Sequence, residues 1–129
     1  MADANRKRRV LVVDDEPDVR TFLTTLLQDN GYETSVATNG AEALKAIRAG
    51  RPDLVTLDIT MPEQSGVRAY REIKTDPALK GLPVVIVTGV SDDFKTFIST
   101  RSQVPPPDGF LTKPVDNAAL LELVRKLAG

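Results

Sequence analysis

With 129 residues and a mass of 14.0 kDa, the chain has the length of one ordinary domain and can bury a core without covalent staples. Seventeen basic residues against eighteen acidic ones leave a formal net charge of −1, so no overall field draws it to nucleic acid or to a membrane surface. The lack of cysteine and histidine excludes disulfides, thiolate or imidazole metal sites, histidine-based catalysis and a histidine phosphoryl carrier within the chain.

In chain order, the opening MADANRKRRV is basic but is followed by VLVVDD, which is too short and too soon acidic for a signal-peptide core. No apolar run approaches a membrane span, and the expected location is the cytoplasm. Residues 1–9 read as a flexible basic tail and residues 10–129 as one domain. The Arg6-Lys7-Arg8-Arg9 cluster reads as a solvated flank, not a nucleic-acid site, because no other basic surface supports it. Residues 10–13 (VLVV) are a strand ending in Asp14-Asp15-Glu16. Pro17 suits the first turn of a helix with Val19, Phe22, Leu23, Leu26 and Leu27 on its inner face, stopped by Gly31. Glu33–Ala37 (ETSVA) is a weaker strand, better placed near an edge. Asn39 can cap a helix running through Ile47, with Glu42 as its capping partner, ended by Gly50 and Pro52.

Leu54–Leu57 is a third strand ending in Asp58, after which Met61-Pro62 and Gly66 turn the chain, Gly66 being free to adopt positive φ. Val67, Tyr70 and Ile73 mark a third helix that ends before Pro77. Residues 84–87 (VVIV) are a fourth strand, leading to Thr88-Gly89. Ser91, Asp92 and Asp93 resemble the cap and acidic first turn of a fourth helix with Phe94, Phe97 and Ile98 inward. Residues 110–111 are a short fifth strand leading to Thr112-Lys113-Pro114. Asp116 can cap a last helix with Leu120, Leu121, Val124 and Leu127 inward. The first, third and fourth strands are continuously apolar, as inner strands of a parallel sheet are. Five strand–helix units are expected to make one doubly wound α/β domain that uses these residues up and leaves no length for an output domain, whether the chain stands alone or is a piece of a larger protein.

In open α/β sheets, ligands sit beyond the carboxyl ends of the strands. There this chain places Asp14, Asp15, Asp58, Thr88 and Lys113. Taken singly, each has an ordinary reading: Asp14 and Asp15 as solvated strand-end acids or a cap, Asp58 as a turn former, Thr88 as a strand-end hydroxyl, Lys113 as a surface charge, and Glu16 as peripheral. Taken together they need one explanation. Clustered carboxylates repel and call for cations, and hard oxygen ligands without His or Cys favour Mg²⁺ or Mn²⁺. A metal, an ammonium and a hydroxyl around Asp58 make a phosphoryl-transfer site in which Asp58 attacks phosphorus.

The motifs VLVVDDEPDVR, LVTLDITMPEQSG, VVIVTG and GFLTKP, in this order over essentially the whole chain, resemble the response-regulator receiver domain of two-component signalling, most like its stand-alone, chemotaxis-regulator members. The resemblance implies a flavodoxin-like sheet of order 2-1-3-4-5 and a cis Lys113–Pro114 bond. It implies that Asp58 is the phosphoacceptor and that Asp14, Asp15, Asp58 and the backbone carbonyl of Thr60 hold Mg²⁺. Lys113 would bind the phosphoryl group, with Thr88 and Phe110 as switch residues; for Phe110 the ordinary reading is core. The donor would be a phosphohistidine on a sensor histidine kinase or a histidine phosphotransfer protein. The surface of the fourth helix, fifth strand and last helix would meet a downstream protein, as a monomer or a phosphorylation-dependent dimer. Two competing readings are a phosphorylation-independent interaction module and an aspartyl phosphatase of the haloacid-dehalogenase type. The latter fits poorly, because it needs an aspartate where Thr60 stands.

Two features depart from the family pattern. Val104-Pro105-Pro106-Pro107-Asp108 cannot continue a helix, so the fourth helix should end by about Gln103. The loop either reshapes the partner surface or is a tolerated insertion. Val90 and Thr60 flank the expected path of attacking water without an amide or acid, which predicts slow loss of the phosphoryl group.

Overall fold

The computed structural model describes residues 7–79, 81–89 and 107–128. Its elements are β1 (Arg9–Val13), α1 (Pro17–Asp29), β2 (Glu33–Ala37), α2 (Gly40–Ala49), β3 (Leu54–Leu57), a 3₁₀ turn (Pro62–Gln64), α3 (Ser65–Thr75), β4 (Val84–Thr88), β5 (Gly109–Thr112) and a C-terminal helix (Asn117–Ala128). The five strands form one parallel sheet in the order β2-β1-β3-β4-β5. This is the predicted flavodoxin-like arrangement, with the polar ETSVA strand at an edge. The predicted fourth helix from Ser91, with Phe94, Phe97, Ile98 and its end at Gln103, lies outside the described residues, as do Val90, residues 104–106 and residues 1–6.

The unbroken apolar runs follow from burial on both faces. Val10, Val12, Leu54, Val85 and Val87 point to one side and pack with Leu23 and Leu27 of α1 and Leu120 and Val124 of the C-terminal helix. Leu11, Val13, Val55, Leu57, Val84 and Ile86 point to the other and pack with Ala43, Ile47, Tyr70 and Ile73 of α2 and α3. Alternation along each strand therefore feeds two cores rather than one core and solvent.

The helix signals act largely as their chemistry predicts. Pro17 stands in the first turn of α1, and Gly31 takes the left-handed conformation (φ 91°) just past its end. Asn39 caps α2 by accepting the Glu42 N–H at 2.8 Å, while Glu42 Oε1 accepts the N–H of Thr38, one residue before the cap. Two assignments change. Arg9, expected in the flexible tail, opens β1: its N–H donates to Asp53 Oδ2 at 2.8 Å and its carbonyl accepts the Asp53 N–H at 2.8 Å. Phe22, expected inward, is 44% exposed, because it lies about 100° around the helix from Leu23, beyond the stripe that Leu23 and Leu27 bury. No helix among the described residues is long and apolar enough to cross a membrane.

Candidate functional site

The sheet ladder delivers the acids. One residue past β1, the Asp14 N–H still donates to the Ala37 carbonyl at 3.1 Å; one past β3, the Asp58 N–H donates to the Val13 carbonyl at 3.0 Å. One past β5, the Lys113 N–H donates to the Thr88 carbonyl at 2.8 Å. Each functional side chain thus leaves a backbone fixed by its neighbour strand, which explains how an apolar strand can end in a buried carboxylate. Asp14 and Asp58 are each only 1% exposed, Thr88 is fully buried at the end of β4, and Asp15 and Thr60 are exposed. Phe110 lies in β5, partly buried against the core on the α2–α3 face. The Lys113–Pro114 peptide is cis.

Lys113 Nζ reaches Asp14 Oδ2 at 2.9 Å, Glu16 Oε1 at 3.0 Å and Asp58 Oδ2 at 3.4 Å. Glu16, read as peripheral from the sequence, is therefore part of the site. Burial pulls the Lys113 ammonium towards deprotonation, but the hydrogen bonds to Asp14 and Glu16 and the charges of Asp58 and Asp14 outweigh it and hold its pKa above the usual lysine range. For Asp14 the balance runs the other way. Burial raises its pKa; the Lys113 hydrogen bond and the Glu16 N–H lower it, and the charge of Asp58 raises it again, for a net upward shift. The asymmetry follows from which effect wins: burial outweighs the Lys113 contact for Asp14, while the surrounding acids outweigh burial for Lys113.

The other oxygen of Asp58 is held separately. Oδ1 accepts the Thr60 N–H at 2.9 Å and the Thr60 hydroxyl at 2.6 Å. Thr60 was expected here for its backbone carbonyl; its N–H and hydroxyl bonds to Asp58 were not foreseen. Arg20 Nη1 donates to the Asp14 carbonyl at 2.8 Å and braces the turn from the α1 side.

The turn after Asp58 also differs from expectation. Gly66 does not take positive φ; the left-handed residue is Glu63 (φ 59°). Gly66 is required for space, since a Cβ there would lie 2.1 Å from the Asp58 carbonyl oxygen and 2.9 Å from Ile59 Cα. The first turn of α3 is thereby pressed against the backbone that carries Asp58.

Asp14, Asp15, Glu16 and Asp58 each offer an oxygen, all within 4.8 Å of one another, which is enough for a metal ion. The donors are all hard oxygens, so the set suits Mg²⁺ or Mn²⁺ better than zinc. A carboxylate with one oxygen clamped and the other facing an ammonium, beside a cation site and a buried hydroxyl, is suited to accepting a phosphoryl group.

Comparison with known proteins gives a consistent picture. The family model described as "Response regulator receiver domain" matches residues 10–125. Protein Rrf1 of Nitratidesulfovibrio vulgaris is 37% identical over 116 residues, covering 90% of this chain and 79% of that protein. The DNA-binding response regulator MtrA of Mycolicibacterium smegmatis is 34% identical over 119 residues; these cover 92% of this chain but 50% of MtrA, so the chain spans half of that relative's length. Among solved structures, the signal receiver domain of a signal transduction histidine kinase from Syntrophus aciditrophicus superposes with a TM-score of 0.82 at 33% identity, covering 94% of this chain and 89% of that one.

Proposed function

The chain belongs to the response regulator receiver family, and from that premise we propose that Asp58 accepts a phosphoryl group from a phosphohistidine on a kinase or phosphotransfer protein. Receiver domains are signalling switches that meet a phosphodonor and a downstream effector, and they typically bind Mg²⁺. The observation that carries the proposal is the division of labour on Asp58: Thr60 holds Oδ1, while Oδ2 faces the Lys113 ammonium at 3.4 Å. Oδ2 forms the new bond to phosphorus as the bond from phosphorus to the donor imidazole nitrogen breaks, and that nitrogen takes a proton from solvent. Lys113 neutralises charge on the phosphoryl oxygens, and the Thr88 hydroxyl donates to one of them. Asp14, Asp15, Asp58 and the Thr60 carbonyl would hold Mg²⁺, which would supply further charge neutralisation.

In this reading, Thr88 and Phe110 pass the change to the surface formed by β5, the C-terminal helix and the segment between β4 and β5, where a downstream protein or a second copy binds. Thr60 carries neither an amide nor an acid, and its hydroxyl is engaged with Asp58, which supports slow hydrolysis of the phosphoryl group.

The test is a time course with acetyl phosphate. Acyl phosphate should form with Mg²⁺ and fall to background with EDTA. After donor removal it should decay slowly in the wild type and faster in Thr60→Asn. Formation that is indifferent to EDTA would refute the metal assignment. Equal decay in the two proteins would refute the account of its lifetime.

A further inference from the structure

Glu16 occupies the N-cap position of α1 with extended backbone (φ −92°, ψ 118°), yet its side chain makes no capping hydrogen bond. Short side chains (Ser, Thr, Asp, Asn) ordinarily accept from the free N–H groups of the first turn at this position; a glutamate is long enough to reach elsewhere. This one instead turns across the site to Lys113 Nζ at 3.0 Å, although the side chain is 60% exposed and solvent competes for it. Its backbone N–H meanwhile donates to Asp14 Oδ1 at 2.9 Å. The ammonium sits closer to Asp14 and Glu16 than to Asp58, which is 3.4 Å away.

We propose that Glu16 is a positioning residue that competes for Lys113, drawing the ammonium off Asp58 before phosphorylation and thereby keeping Asp58 available to a divalent cation. The inference rests on the reading of Asp58 as phosphoacceptor and of its neighbouring acids as a Mg²⁺ site. Two effects of the Glu16 charge act in the same direction on cation binding. It adds attraction directly, and it holds the ammonium on the Asp14 side, away from Asp58. Once Asp58 carries a phosphoryl group, its new oxygens contend with Glu16 for Lys113. Glu16 therefore favours metal entry and disfavours the Lys113–phosphoryl contact.

Glu16→Gln keeps the side-chain length and removes only the charge. MgCl₂ titration of ¹⁵N-labelled wild type and variant, without any phosphodonor, should show Mg²⁺ affinity about threefold or more weaker in the variant, as expected for one charge lost within a few ångströms of a divalent ion. With acetyl phosphate, the variant should need more Mg²⁺ for half-maximal rate but reach a plateau at least equal to that of the wild type. A purely structural role at the helix end would shift the melting temperature and leave both Mg²⁺ readouts unchanged. Unchanged Mg²⁺ affinity, or a plateau an order of magnitude lower, overturns the inference while wild-type phosphorylation stands. A wild type that neither binds Mg²⁺ nor takes a phosphoryl group overturns the underlying reading as well.

Discussion

Gly66→Ala is expected to lower folding stability by about 3 kcal/mol, near the upper end for forced overpacking, and to slow phosphorylation of Asp58 at saturating Mg²⁺. The new Cβ would lie 2.1 Å from the Asp58 carbonyl oxygen, 2.9 Å from Ile59 Cα and 3.1 Å from the Asp58 carbonyl carbon. All three are backbone atoms, so no side chain can rotate away. Either the first turn of α3 lifts or the end of β3 shifts, and the second movement carries the Asp58 carboxylate away from Thr60 and Lys113. Gly31→Ala is the matched control. It has open space but a left-handed backbone (φ 91°), and should cost only about 1–2 kcal/mol with no effect on Asp58 chemistry. Urea unfolding and acetyl phosphate rates measured on both variants separate steric from conformational need. Equal losses in the two would contradict the close-approach account.

Removing Asp108 should cost far more than removing its partner Lys74. Lys74 has a side chain only 5% exposed, with Nζ donating to Asp108 Oδ2 at 2.7 Å and to the Leu82 carbonyl at 3.3 Å. The same Asp108 oxygen accepts the N–H of Val84, the first residue of β4, at 2.8 Å. Asp108→Ala therefore strands both a buried ammonium and a buried backbone donor. The expected loss is about 3 kcal/mol, at the low end for broken buried pairs because the Asp108 side chain is 35% exposed. Lys74→Met leaves a carboxylate that still binds Val84 and reaches water, and should lose less than about 1.5 kcal/mol. Asp108 also adds to the burial that holds the Tyr70 hydroxyl above its ordinary pKa, so its charge is felt within the core. Denaturation midpoints for the two variants settle the order, and an equal or larger loss in Lys74→Met would be inconsistent with it.

The sheet was legible because its chemistry is local. Runs such as VLVV and VVIV have no polar position to turn outward, so both faces had to be covered, and the more polar ETSVA could only lie at an edge. Asp14, Asp58 and Lys113 were legible for a related reason: each is the first charged residue after an apolar strand, and parallel strands bring such residues to one end. Contacts set by tertiary distance were not legible. Glu16 meets a lysine 97 residues away, and nothing in DDEP distinguishes a carboxylate that caps a helix from one that crosses the site. Gly66 reads as a turn residue free to take positive φ, but a sequence does not say whether a glycine serves φ or space. Phe22 belonged to a plausible helical stripe that proved wider than the surface available to bury it. The Lys74–Asp108 pair did leave a signal, since Lys74 is four residues after Tyr70 and adjacent to Ile73, on the buried face of α3.

The central claim is that Asp58 is the phosphoacceptor of a cation-dependent site. Its most direct test is the intact mass of the wild type and of Asp58→Asn after incubation with acetyl phosphate and Mg²⁺. The account predicts a single phosphoryl adduct on the wild type and none on the variant. An adduct of equal yield on Asp58→Asn, or none on a wild type that also refuses a phosphohistidine donor, would contradict it.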